Sequence, residues 1–371
     1  MKVVYEASNT IEAYLLKSRL EHEEVLAWVT GEFLQGGVGE LAAHGHVRVM
    51  VADDDVERAR VVIRQYEKEV YKQMKPIEFI GIGVTKGGSS WLADMLAAHP
   101  QICLSEPKEV RYFNSLASPG NEGANPQRQQ SLHWYHQHFS HCSADAIRGE
   151  YTPLYIADPD AIDNILDYNP EIKLLICLRD PLERLVSHYR MNHDYIGIAK
   201  GSIEEEIRSD GRYLEQGLYG EQIERLYKRC DRSQVLLFFM DDIRKDRAGT
   251  VARMYEFLGV DARFVPAGLE RKSNAAKKAR FPWVGRFLFL LPRALVAMKM
   301  NWLLVALRKI NLHKVLLGLL TKESAKLELS ADFKARIRDY YREDVIKLEN
   351  LTGRDLSRWY EEENQVLSKA G

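Results

Sequence analysis

Cysteine is scarce. Cys103, Cys142, Cys177 and Cys230 are the only four in 371 residues, and no two stand in CxxC spacing. That argues against a disulfide scaffold and a zinc ribbon. An excess of one charge is also lacking: Lys and Arg number 52 against 53 Asp and Glu, a net charge of −1. A globally basic nucleic-acid binder is set aside, while a local basic patch stays open. The amino terminus, Met1-Lys2-Val3-Val4-Tyr5-Glu6, carries charge where a secretory signal would be apolar, so the default expectation is a reducing cytoplasm. No apolar run reaches the roughly 18 uncharged residues of a membrane span. Internal repeats and low-complexity tracts are absent. What is there is ordinary for a globular protein, with 46% hydrophobic and 28% charged residues. The length suits two or three domains, or one large core with an attachment.

Residues 1–75 read as a small α+β unit. Lys2 to Ala7 has strand character. Asn9 can cap a helix whose mostly apolar face is Ile11, Leu15, Leu16, Ser18 and Leu20. Val25 to Thr30 is a second strand, and the glycines between Gly31 and Gly45 make a loop. His46 to Ala52 is a third strand, with Val47, Val49 and Val51 alternating. Asp53, Asp54 and Asp55 place negative charge at the start of a helix running through Val56, Ala59, Val62, Ile63, Tyr66 and Val70. The order β-α-β-β-α is close to a split βαβ, ferredoxin-like sandwich.

The pattern resets between Tyr71 and Pro76, which sets the boundary of a second domain, 76–371. A buried-type strand, Ile77 to Gly83, leads through a glycine-bearing loop to a helix, Ser90 to Ala98. A loop-rich stretch spans Ser115 to Gln130. Strands follow at Ile172 to Leu178 and Val235 to Met240. Pro181 takes a favoured first helical position. This alternation implies a parallel sheet with helices on both faces. Arg271 to Lys322 holds twelve Lys and Arg and no Asp or Glu, among apolar stretches. It reads either as an amphipathic subdomain covering the core or, through 281–320, as a peripheral contact with anionic lipid or an anionic acceptor.

Ile80-Gly81-Ile82-Gly83-Val84-Thr85-Lys86-Gly87-Gly88-Ser89-Ser90-Trp91-Leu92 lies between strand and helix. Free backbone N–H groups and the positive end of a helix dipole favour an anion there. The Walker pattern GxxxxGK[ST] fails, because the lysine precedes the two glycines. The GxGxxG fingerprint fails too, because Lys86 stands where the third glycine belongs. An anion site of another type remains, with a tight turn as the plainer reading.

The chain here resembles the sulfotransferases that use 3′-phosphoadenosine 5′-phosphosulfate (PAPS), nearest to the heparan-sulfate-type and bacterial branches. Lys86-Gly87-Gly88-Ser89-Ser90-Trp91 matches the family's 5′-phosphosulfate loop. Leu178-Arg179-Asp180-Pro181-Leu182-Glu183-Arg184-Leu185-Val186-Ser187-His188-Tyr189 matches its 3′-phosphate motif. Glu109-Val110-Arg111-Tyr112-Phe113, Glu150-Tyr151-Thr152-Pro153-Leu154-Tyr155 and Leu351-Thr352-Gly353-Arg354-Asp355-Leu356 follow in family order. The resemblance covers roughly residues 77–360 and implies an α/β, P-loop-like three-layer α/β/α fold. The first unit resembles a small bacterial family described as signal-transducing proteins, through its strand–helix order and the Gly-rich loop before His46. Its partner is unknown.

The resemblance assigns roles. Lys86 would stand beside the oxygen bridging phosphate and sulfate. Gly87, Gly88, Ser89, Ser90 and Trp91 would hold the 5′-phosphate; Trp91 either stacks on adenine or packs into the core. Arg179 would bind the 3′-phosphate with Ser187, the plainer reading being an ion pair with Asp180 or Glu183. Arg271 and Lys272 look like the basic loop that closes over the same phosphate, although Ser273 replaces the glycine found after that pair in other branches. Glu109 would be the general base, the alternative being a loop glutamate paired with Lys108 or Arg111. Arg111 and Asn114 are acceptor-contact candidates. Tyr151 stands where many relatives carry lysine, and the histidine sometimes found at the Arg111 position is absent.

His133, His136, His138 and His141 offer zinc-like spacing, but the chemistry requires no metal, and none is assigned. The reading is sulfuryl transfer from PAPS to a hydroxyl, or an amine, of a carbohydrate, lipid or small-molecule acceptor. The expected location is cytoplasmic, with peripheral contact at the inner membrane face left open. The rival readings are a nucleotide kinase, which would need a Walker lysine and Mg²⁺ ligands, and a nucleotide-binding signalling module without transfer.

Overall fold

A computed structural model describes residues 1–7, 9–31, 47–70, 75–115, 125–270, 277–279, 321–323 and 327–361. The glycine loop before His46, Arg271, Lys272 and nearly all of the basic apolar segment, including 281–320, lie outside the described residues.

The small unit is built from β1 (Lys2–Ala7), α1 (Thr10–His22), β2 (Ala27–Thr30), β3 (Val47–Val51) and α2 (Val56–Val70). Its antiparallel sheet has the order β1-β3-β2. Val47, Val49 and Val51 are fully buried because the central strand turns every second side chain to the helices. Asn9 caps α1 through the Glu12 N–H at 2.9 Å. The buried face of α1 differs from the expected one. Glu12, Ala13, Leu16 and Leu20 face inward, while Ile11 and Leu15 are 74% and 58% exposed. The helix is apolar around more than half its circumference, so periodicity did not choose the face. Glu12 is tolerated inside because the Tyr5 hydroxyl donates to it at 2.7 Å.

The large unit is a five-stranded sheet of β4 (Phe79–Gly83), β5 (Ile102–Leu104), β6 (Ile147–Tyr151), β7 (Lys173–Leu178) and β8 (Val235–Phe239). The order is β5-β6-β4-β7-β8, and every pair is parallel. β5 and β6 were not foreseen: β5 has three residues, and Arg148 and Glu150 interrupt the apolar run of β6. The helices are α3 (Ser89–Ala98), α4 (Leu132–Gln137), α5 (Pro159–Tyr168), α6 (Pro181–Arg190), α7 (Ile203–Ser209), α8 (Arg212–Glu215), α9 (Tyr219–Tyr227), α10 (Met240–Lys245), α11 (Arg247–Leu258) and α12 (Ala331–Thr352).

Alternation along the strands builds two cores. Leu174, Ile176 and Leu178 of β7 join Ile162, Leu185, Ile223 and Val345 on one face. Leu175 and Cys177 join Leu92, Leu96, Met254 and Tyr255 on the other. Both faces of the sheet are therefore covered, the condition under which parallel sheets are stable.

Candidate active site

The strand order creates a crevice at the carboxyl end of the sheet. From β4 the chain runs out to β5 and β6, then crosses to β7 and β8 on the other side. The ends of β4 and β7 flank this switch point, where ligands bind in open α/β sheets.

The loop after β4 is tightly folded against β7. The Val84 N–H donates to the Cys177 carbonyl at 3.1 Å, tying the loop to β7, and the Gly87 N–H donates to the Val84 carbonyl at 3.0 Å. A Cβ on Gly87 would collide with the Cys177 carbonyl oxygen. Gly88 enters α3 at φ +96°, a conformation glycine adopts freely. The first-turn N–H groups of α3 at Ser89, Ser90 and Trp91 lack intrahelical acceptors by geometry. The Trp91 side chain is 6% exposed and packs in the core with α3 and α11, so its placement is the core-packing one.

Lys86 and Arg179 meet. Arg179 Nη1 donates to the Lys86 carbonyl oxygen at 3.4 Å, while its Nε donates to Glu183 Oε2 at 3.0 Å. Glu183 is shared with Arg244 at 2.9 Å. The plainer pairing of Arg179 is thus present, beside the loop contact. Burial depresses the Lys86 pKa, the Arg179 charge adds to this, and Glu109 opposes it. The Lys86 ammonium lies 3.6 Å from Met191 Sδ. Ser187 is half-buried on α6, about two turns beyond Arg179.

Glu109 stands between β5 and α4. It accepts from Lys108 at 2.7 Å and Arg111 at 3.1 Å. Burial pushes its carboxyl up, but the two cations outweigh burial and hold it below the usual range. Lys86, Glu109 and Arg111 have φ of +70°, +65° and +59°. Each such non-glycine residue costs about 1–3 kcal/mol, and such residues cluster at functional sites. The Asn114 side chain is buried and donates to Asp158 at 3.3 Å; it supports the loop from within.

What holds this segment is Glu150, whose role the sequence pattern did not reveal. It is fully buried. Tyr155 and Tyr135 donate to Oε1 at 2.8 and 3.2 Å, and Thr152 and the Val110 N–H donate to Oε2 at 3.1 and 3.3 Å. Burial outweighs these bonds and raises its pKa to about 7. The Thr152 hydroxyl also accepts from the Arg111 N–H at 3.4 Å. Tyr151, the departure from lysine, is buried with its hydroxyl 3.3 Å from the Gly83 carbonyl. A charged residue flanked by buried strand positions was the available signal. Arg184, also unassigned from sequence, is fully buried and donates to the Tyr213 carbonyl.

The histidines disperse. His136 bonds Tyr168 at 3.2 Å and is pushed down to about 4 by burial, while His138 bonds the Trp134 carbonyl at 2.9 Å. His141 lies 3.4 Å from Cys103 Sγ. Cys103, His141 and Cys142 approach as metal ligands would, but the two cysteines form a disulfide. This corrects the cysteine expectation. A separation of 39 residues hid the pairing, and the folded chain brings the middle of β5 beside the turn after α4. A disulfide is ordinary in oxidising compartments, so the link does not support the expected reducing cytoplasm.

Residues 76–281, more than half of the chain, match the family model described as "Sulfotransferase domain". The chain belongs to the sulfotransferase family. Residues 1–67 match a second family model, described as "Putative prokaryotic signal transducing protein". A membrane-associated sulfotransferase, kil1, of Dictyostelium discoideum is 32% identical over 145 residues, 36% of this chain and 28% of that protein. The human heparan sulfate glucosamine 3-O-sulfotransferase 5 is 27% identical over 158 residues, 40% of this chain and 43% of that protein. The sulfotransferase domain thus spans well under two thirds of these relatives. A sulfotransferase crystal structure from Alicyclobacillus acidocaldarius shares the fold, with a TM-score of 0.56 and 22% identity over 77% of this chain and 99% of that one. Among the described residues, no helix of the sulfotransferase is long and apolar enough to cross a membrane.

Proposed function

We propose that this sulfotransferase moves a sulfuryl group from PAPS to a hydroxyl, or an amine, of a carbohydrate, lipid or small-molecule acceptor. The observation that carries the reading is the meeting of the Lys86 loop and Arg179 at the switch point of the sheet. A Walker-type kinase would place its lysine after the glycines, at the start of the helix; here the lysine precedes them.

In this reading the N–H groups of Gly88 to Trp91 and the Ser89 and Ser90 hydroxyls hold the 5′-phosphate. Arg179 and Ser187 hold the 3′-phosphate; Arg271 and Lys272, outside the described residues, are assigned to the same phosphate by the family resemblance alone. The acceptor oxygen attacks sulfur in line, and the bond from sulfur to the bridging oxygen breaks. The electron pair stays on the departing phosphate of adenosine 3′,5′-bisphosphate, where Lys86 offsets the developing charge. The acceptor proton goes to Glu109. Lys108 and Arg111 keep Glu109 ionised, and so able to take a proton, at the expense of basicity. Arg111 borders the acceptor. No metal is needed in any of these steps.

The test is chromatographic release of adenosine 3′,5′-bisphosphate from PAPS across phenol, glycan and lipid acceptors, with Lys86→Ala as control. Acceptor-dependent release that Lys86→Ala abolishes supports the reading. Magnesium-dependent ATP turnover without PAPS turnover would replace it with the kinase reading.

A further inference from the structure

The small unit contacts the start of α4, the helix that packs beside the Glu109 segment. Glu67 of α2 is 7% exposed, and its Oε1 accepts the N–H of Leu132 at 2.6 Å. Leu132 opens α4, and a first-turn N–H has no acceptor within its own helix. Ser131 is already engaged with the Trp134 N–H at 3.1 Å. Glu67 therefore provides an acceptor that α4 does not supply for itself. Beside it, Gln130 Nε2 donates to Glu6 Oε2 at 3.0 Å, next to a parallel bridge between Glu6 and Gln130. Both contacts grip residues 130–132.

What those residues hold is the candidate base segment. Tyr135 of α4 stacks on Tyr112 with ring centroids 4.8 Å apart. Its hydroxyl donates to Glu150, which accepts the Val110 N–H. Upstream of the grip, the Asn125 amide donates to the carbonyls of Arg111 and Asn114 at 2.7 and 2.9 Å. Tyr112, Asn125 and Arg128 also wall a cavity of about 500 Å³, whose opposite side is Tyr5, Ile63 and Glu67 of the small unit. The small unit thus touches residues 130–132 directly and faces Tyr112, next to the strained backbone of Arg111, across that cavity.

We propose that Glu67 is a positioning residue for sulfuryl transfer: the small unit braces α4 from outside and thereby sets the 109–113 segment. The inference rests on the reading that this segment faces the acceptor. It also gives the small unit a structural route to the reaction.

The test is amide hydrogen exchange on the full chain, comparing the native protein with Glu67→Met and Glu67→Gln. Affinity for adenosine 3′,5′-bisphosphate is measured on each. Glu67→Met is expected to speed exchange about fivefold in residues 109–113 and 132–137, relative to residues 79–98. Nucleotide affinity stays native, and Glu67→Gln, which keeps a carbonyl acceptor, restores most of the protection. Unchanged exchange in 109–113, acceleration uniform along the chain, or equal behaviour of Gln and Met would overturn the proposal. Should Glu67→Met not fold, Gln130→Ala removes the neighbouring contact more gently. It is expected to accelerate the same two segments, and native exchange there would overturn the proposal equally. Failure of the native chain to bind the nucleotide would refute the donor reading separately, because the exchange pattern does not depend on it.

Discussion

Glu150 gives a prediction that can be worked through quantitatively. Its carboxyl is moved from the ordinary 4.5 to about 7, because burial outweighs four donated hydrogen bonds. Below pH 4.5 it is protonated in both the folded and the unfolded chain. Between 4.5 and 7 the unfolded chain ionises while the native one holds its proton, so stability falls as pH rises. Above 7 both are ionised and the loss is complete. At roughly 1.4 kcal/mol per pH unit, the loss across that window is about 3 kcal/mol. Glu67, also raised to about 7, adds a slope of the same sign. His188 and His136, pushed down to about 3 and about 4, act oppositely, losing stability as pH falls below 6.5. The difference between native and Glu150→Gln isolates the one group, since glutamine keeps the shape and does not titrate. Urea unfolding at several pH values from 4.5 to 8 is the assay. The native chain is expected to lose about 3 kcal/mol relative to Glu150→Gln over that range. A difference that stays flat with pH, or grows in favour of the native chain, would refute the reasoning about burial.

Three further outcomes follow from the geometry. Lys86→Ala is expected to lower sulfuryl transfer by on the order of 10²–10³; steady-state rates check this, and a loss under tenfold would count against the leaving-group role. Glu109→Gln is expected to lower turnover by on the order of 10²–10⁴, with adenosine 3′,5′-bisphosphate affinity unchanged by calorimetry; native turnover would remove Glu109 as the base. Non-reducing mass spectrometry is expected to find Cys103 linked to Cys142, with Cys177 and Cys230 as thiols. Cys103→Ser then costs about 4 kcal/mol, from the chain entropy of a 39-residue separation; four free thiols in the native chain would contradict the link.

The sequence carried the donor side of the site better than the acceptor side, for a physical reason. Lys86 to Trp91 and Arg179 each sit at the end of an apolar strand, so local pattern placed them at the carboxyl edge of a sheet. Their meeting needs only that β4 and β7 be neighbours, as they are. The Glu109 segment depends on distant partners instead. Val110 is held by Glu150, forty residues on, and Arg111 by Thr152 and Asn125. No spacing rule links such positions. The three-residue β5 and the polar-interrupted β6 escaped for the same reason, since strand pairing rather than apolar run length defines them. The Cys103–Cys142 link is not legible in spacing, because pairing follows three-dimensional proximity. The inward face of α1 was misplaced because Ile11, Leu15, Leu16 and Leu20 offered more apolar surface than the sheet could cover, and tertiary packing chose Leu16 and Leu20.

Lys86 and Arg179 are proposed to form one site for a 3′-phosphorylated nucleotide. Thermal stabilisation by adenosine 3′,5′-bisphosphate, compared with ADP, tests it in the native chain and in Arg179→Ala. At about 100 times its dissociation constant, a ligand stabilises by about 2.7 kcal/mol. That shift is expected for the 3′-phosphorylated nucleotide, little for ADP, and the preference is lost in Arg179→Ala. Equal responses to the two nucleotides, or none to either, would contradict it.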